Sequence, residues 1–117
     1  MKITSTIKED FLITRLCGEL DMNTVPDFKK KLKNLMEKRS VKNIIIDLNK
    51  INFIDSTGIG AILGRYRAIK KKNGKLILVG ANRRVKKIFK LSGIYDLIPI
   101  YDNEKEAFFK KNIKGGQ

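Results

Sequence analysis

Ile3, Ile7, Phe11, Ile13 and Leu16 alternate with polar neighbours, the period of strands that bury one face. Glu9-Asp10 is placed to turn between two such segments, which predicts an antiparallel hairpin whose second strand ends at "GELD", Gly18 to Asp21. The period then changes. Val25, Phe28, Leu32, Leu35 and Met36 recur on one helical face. Thr24 with Asp27 resembles a capping box ahead of that helix, and Pro26 suits its first turn. "NIIIDL", Asn43 to Leu48, and "GKLILVG", Gly74 to Gly80, are nearly continuous apolar runs, as in strands of a parallel sheet covered on both faces. Between them Ile59, Ile62, Leu63, Tyr66 and Ile69 fall at helical spacing, giving a βαβ unit.

Beyond Gly80, Val85, Ile88, Phe89 and Leu91 predict a short amphipathic helix, with Gly93 placed to cap its end. "LIPIY" is interrupted by Pro99, so it reads as an edge strand at most. Asn103 and Glu106 form a second candidate capping box, opening a last helix through Ala107 and Phe108. The expected order is β-β-α-β-α-β-α-β-α. This is an α/β fold with a mixed sheet of four to five strands and about four helices, mainly on one side or packed around the sheet. It is not the plain alternation of a doubly wound fold.

Length and composition narrow the chemistry. The 117 residues, 42% apolar, suit one domain. No apolar run approaches the roughly 18 residues of a membrane span, and "MKITSTIKED" has no apolar signal core. A cytoplasmic location with no membrane partner is expected. Cys17, the one cysteine, excludes an intrachain disulfide and reads as a small buried side chain in "FLITRLCGEL". With no histidine, the commonest acid–base catalyst and metal ligand is missing, so no metal site and no catalysis are expected.

The net charge of +14 comes from 20 lysines and 6 arginines against 12 acids. Such a surplus fits a nucleic-acid or acidic-membrane partner. It also fits a lysine-rich composition shared with abundant Ile and Asn. The lysines fall in clusters, Lys29 to Lys31, Lys70 to Lys72, Lys86-Lys87 and Lys110-Lys111, each suited to the solvated face of a separate helix. That reading outweighs a basic nucleic-acid-binding module, which remains the alternative.

The stretch "FIDSTGIGAILGRYRAIK", Phe53 to Lys70, spends Gly58, Gly60 and Gly64 in a helix start. A helical glycine costs about 1 kcal/mol relative to alanine. The spacing nearly spells a dinucleotide fingerprint and fails it: the last interval is one residue too long. The preceding "KINFID" is a weak strand, with Lys50 and Asn52, and no acid follows about 20 residues on. Close packing on the sheet would account for Gly60 and Gly64, and backbone exposure for Gly58. Asp55 or Ser56 caps the helix near Thr57. Ser56 also suits covalent modification. A phosphate there meets free N–H groups and the helix dipole, so the fold can survive. It also puts about −1.5 to −2 of charge beside Asp55. A serine nucleophile lacks a histidine base. Asp21 and Asn23 precede the first helix and can satisfy its N-terminus. Asp47 reads as a strand-end or solvent-facing residue; Glu9-Asp10 in a turn does not supply a receiver-domain acid cluster.

These residues, with "GELD" upstream and "VKKIFKLSGI" downstream, resemble the STAS-domain anti-sigma factor antagonists over roughly residues 3 to 110, and Leu63 to Tyr66 resembles the sporulation branch of that family. The resemblance implies a single STAS domain over residues 1–112 with a frayed tail at 113–117. It implies that Ser56 is phosphorylated by an anti-sigma factor with serine kinase activity. The unphosphorylated chain would bind that partner and release a sigma factor, and a serine phosphatase would restore it. No cofactor belongs to this chain, since the ATP is the kinase's. The docking surface implied by the resemblance comprises Asp21, Met22, Asn23 and Thr24 together with Asp55, Ser56, Thr57, Gly58, Ile59 and Gly60. Asn82 and Arg83 are further candidates. Thr57 stands where near relatives carry a second serine.

Overall fold

A computed structural model describes residues 1–111. The expected tail at 113–117 and the domain boundary at 112 lie outside the described residues. The chain opens with β1 (Lys2–Lys8) and β2 (Phe11–Leu20), an antiparallel hairpin in which Lys8 faces Phe11 across the Glu9-Asp10 turn. Glu9 takes φ 55°, the left-handed conformation such a short turn requires. Then follow α1 (Val25–Arg39), β3 (Asn43–Ile54), α2 (Ser56–Lys71), β4 (Leu76–Val79), α3 (Arg83–Ser92), a one-turn α4 (Ile94–Leu97), β5 (Ile100–Tyr101) and α5 (Glu104–Lys110).

The sheet has five strands in the order β1-β2-β3-β4-β5, parallel from β2 onward. The expected mixed sheet is therefore observed, with one helix more than anticipated: Gly93, at φ 86°, ends α3, and the chain re-enters a single helical turn. Each crossover joins neighbouring strands in the same direction. Right-handed crossovers of that kind place every connecting helix on one face. The period-two pattern divides the strands accordingly. Leu12, Leu16, Ile44, Ile46, Leu48, Leu76 and Leu78 pack with residues of α1, α2, α3 and α4. Phe11, Ile13, Ile45, Ile77 and Val79 pack with Ala107 of α5 on the other face. Burying each such side chain contributes about 1.5–3 kcal/mol.

Both α5 and β4 are short, and three sequence readings change. Cys17 is exposed rather than buried: it follows Ile13 and Arg15 along the same strand, past the reach of α5. Asp47 is half-buried under the start of α5, where Glu104 accepts from Nε and Nη2 of Arg15, each at 2.8 Å. "KINFID" is not a separate weak strand but the second half of β3. It is polar because β4 pairs only with Ile44 to Asp47, so the rest of β3 has β2 alone beside it. The reading of "LIPIY" holds: β5 is an edge strand of two residues following Pro99.

Candidate functional site

Parallel β2, β3 and β4 end at one edge of the sheet, and the loops that follow them lie side by side there. This is the edge where open parallel sheets present their binding loops. Asp55, the first residue after β3, organises two of the three. Its Oδ1 accepts from the backbone N–H of Thr57 at 2.9 Å and of Gly58 at 3.1 Å, and from the Thr57 hydroxyl. Its Oδ2 accepts from the N–H of Met22 at 3.2 Å, in the loop after β2. The cap of α2 is therefore Asp55, and Ser56 is the first helical residue. The Thr57 hydroxyl, followed by these backbone N–H groups, holds the Asp55 carboxyl below the usual carboxylate range, so it stays ionised.

The loop after β2 is held by its own hydrogen bonds. Asp21 Oδ1 accepts from the N–H of Asn23 at 2.9 Å and of Thr24 at 3.1 Å. The Thr24 hydroxyl donates to the Glu19 carbonyl at 2.9 Å and accepts from the N–H of Asp21 at 3.0 Å. The capping box expected between Thr24 and Asp27 does not form, because the Thr24 hydroxyl is occupied within this loop. Asp21 takes the role anticipated for it at the helix entrance. The third loop is tied down by Asn82. Its Oδ1 caps α3 by accepting from Val85 N–H at 2.8 Å, and its Nδ2 donates to the Ile51 carbonyl at 3.3 Å.

Asp21, Met22, Asn23 and Thr24 thus stand directly beside Asp55, Ser56 and Thr57, while Asn82, which ends the neighbouring loop, and Arg83, the first residue of α3, are exposed. Ser56 and Thr57 are exposed, and the Ser56 hydroxyl has no hydrogen-bond partner among the described residues. Gly58 and Ile59 point the other way. Ile59 is 8% exposed and packs in the core beneath the site. A Cβ at Gly58 would sit 2.5 Å from the Leu20 carbonyl oxygen and 2.8 Å from Ile54 Cγ1.

The glycine assignments are consequently reversed. Gly58 is the close-packing glycine, whereas a Cβ on Gly60 or Gly64 would meet nothing within 4 Å. Gly60 lies one turn after Ser56 on the exposed side of α2, so its missing side chain leaves bare backbone beside the hydroxyl. Met22, 69% exposed, gives this ground an apolar side chain. Phe53, 41% exposed, precedes core-facing Ile54 on β3 and so faces the side of the sheet away from α2.

The chain matches the STAS domain family model over residues 2–107. It is similar to the anti-sigma F factor antagonist of Paenibacillus polymyxa, 38% identical over 102 residues that cover 87% of each chain. Among solved structures it resembles a putative anti-sigma factor antagonist from Thermotoga maritima, with a TM-score of 0.88, 25% identity and 92% of each chain covered. It also resembles SpoIIAA, the Bacillus cell fate determinant, in two forms. The phosphorylated form gives a TM-score of 0.74 at 27% identity, covering 95% of this chain and 100% of that one. The unphosphorylated form gives 0.73 at 24% identity, covering 94% and 96%.

Proposed function

The chain belongs to the STAS-domain family, and from that premise we propose that it is an anti-sigma factor antagonist switched at Ser56. The unphosphorylated chain binds its anti-sigma factor and thereby frees a sigma factor for transcription. The anti-sigma factor, acting as a serine kinase with its own ATP, phosphorylates Ser56 and is released. A serine phosphatase resets the switch. The chain works in the cytoplasm as a regulatory binding protein, and no helix among the described residues is long and apolar enough to cross a membrane.

One observation carries this reading: an exposed, unengaged hydroxyl at the first residue of α2, beside an ionised aspartate and a backbone cleared by Gly60. A phosphate at that position gains from the helix N-terminus, so the folded chain tolerates it. For a docked partner the same phosphate is a buried dianion next to Asp55, and an uncompensated buried charge costs several kcal/mol. A hundredfold loss of affinity requires only about 2.7 kcal/mol. The docking surface is Asp21, Met22, Asn23, Thr24, Asp55, Ser56, Thr57 and Gly60, with Asn82 and Arg83 at the start of α3. Gly58 and Ile59 support it from below.

Incubation with the cognate kinase and ATP, followed by peptide mass spectrometry, should place one phosphate on Ser56. Ser56→Ala should bind the anti-sigma factor with undiminished affinity and take no phosphate. Phosphate found only on another residue sinks the assignment.

A further inference from the structure

The edge of the sheet opposite Ser56 carries a groove that the switch leaves unused. It lies between the C-terminal halves of α1 and α2, above the start of β3, with a volume of about 790 Å³. Small-molecule sites fall roughly between 300 and 1,000 Å³. Met36 and Ile69, buried from the core side, form its apolar floor. Lys33, Lys42, Arg65 and Lys72 stand around it against two acids, Asp10 and Glu37. Asp10 is already engaged, accepting from the Asn43 amide at 3.0 Å.

Arg65 is the informative residue. It belongs to the Leu63–Tyr66 motif, which the docking surface does not absorb. Its guanidinium is half-buried, and this burial lowers its pKa, with only the charge of Glu37 acting the other way. The ion pairs among the described residues join Arg15 to Glu104, Lys31 to Asp27, Lys86 to Asp102 and Lys111 to Glu9, and none lies in this groove. Nor does Arg65 have a hydrogen-bond partner among the described residues. A desolvated guanidinium is normally compensated by a bidentate oxyanion, whose geometry its fork matches. Here the guanidinium shares the groove with the apolar side chains of Met36 and Ile69.

We propose that this groove binds a small amphiphilic anion, a carboxylate or phosphate ester on an apolar body, with Arg65 holding the oxyanion and Met36 and Ile69 receiving the body. The site is distinct from the switch. Arg65 follows Ser56 by nine residues on one straight helix, roughly 14 Å along its axis at 1.5 Å per residue.

Titration of the full chain with phenyl phosphate, benzoate and inorganic phosphate, followed by two-dimensional amide NMR, tests this. Phenyl phosphate or benzoate should give saturable shifts confined to residues 33–43 and 65–72 and to Asp10. Inorganic phosphate should bind at least tenfold more weakly. Arg65→Gln should weaken the organic anion at least tenfold while leaving the remaining spectrum unchanged, and Glu37→Gln should tighten it. Absence of saturation by both organic anions at millimolar concentration overturns the proposal. So do shifts that map to α3, equal affinity for inorganic phosphate, or indifference to Arg65→Gln.

Discussion

Single residues at this site serve folding and recognition separately, and the glycines show it. Gly58 and Gly60 are two positions apart on α2, yet one faces the Leu20 carbonyl and the other faces open space. Gly58→Ala should destabilise the fold by roughly 1–3 kcal/mol, because the added methyl meets backbone that cannot swing away. Gly60→Ala should stabilise it by about 0.5–1 kcal/mol through helix propensity, while weakening the anti-sigma factor by placing a methyl beside Ser56. Urea denaturation and calorimetric binding, run on both variants, separate the two effects. A Gly60→Ala variant that binds normally would remove Gly60 from the docking surface. The sequence showed that these glycines cost stability, but not which way each faced. Orientation at a helix start depends on the cap, and whether Asp55 or Ser56 filled it was open from spacing alone.

Between elements, the least legible feature was the contact that seats α5. Arg15 on β2, Asp47 on β3 and Glu104 on α5 are distant in sequence, and no local period links them. Asp47 consequently looked like a strand-end residue, although burial, followed by a hydrogen bond shared with Glu104, pushes its carboxyl up to about 6. Glu104 moves the opposite way, held down first by its bond to Arg15, then by Asp47, with Lys8 also nearby. A raised carboxyl favours folding in its protonated form, so the contribution of Asp47 is present below pH 4 and is lost as pH rises from about 4 to 6. Asp47→Asn mimics the protonated side chain. Its stability gain over the natural chain should be near zero at pH 4, grow to about pH 6 and stay level above. Urea midpoints at pH 4, 5.5 and 7.5 measure it. A gain independent of pH would mean that Asp47 is not the titrating group. By contrast, β2, the first half of β3, β4 and the long helices were legible, since each buries a regular apolar face or run.

At the scale of the molecule, the charge of +14 limits how the switch can work. Three of its lysine clusters lie on α1, α2 and α3, which cover one face of the sheet, and the fourth lies at the end of α5 on the other face. Phosphorylation adds about −1.5 to −2, which leaves the net charge near +12. The long-range field that steers a partner is thus scarcely altered, and the fold has no reason to change, since the phosphate sits at a helix N-terminus that favours it. Discrimination must then arise in the docked contact. Phosphorylated and unphosphorylated chains should therefore unfold at similar urea concentrations and associate with the anti-sigma factor at similar rates. The phosphorylated complex should dissociate at least a hundredfold faster. Because a desolvated charge is poorly screened, that ratio should persist from 0.1 to 0.5 M salt, although the Debye length falls from about 10 Å to roughly half that. Stopped-flow association and dissociation at both salts decide the matter. A ratio that collapses at high salt, or a difference carried by the association rate, would assign the switch to the global field rather than to Ser56 against its docked partner.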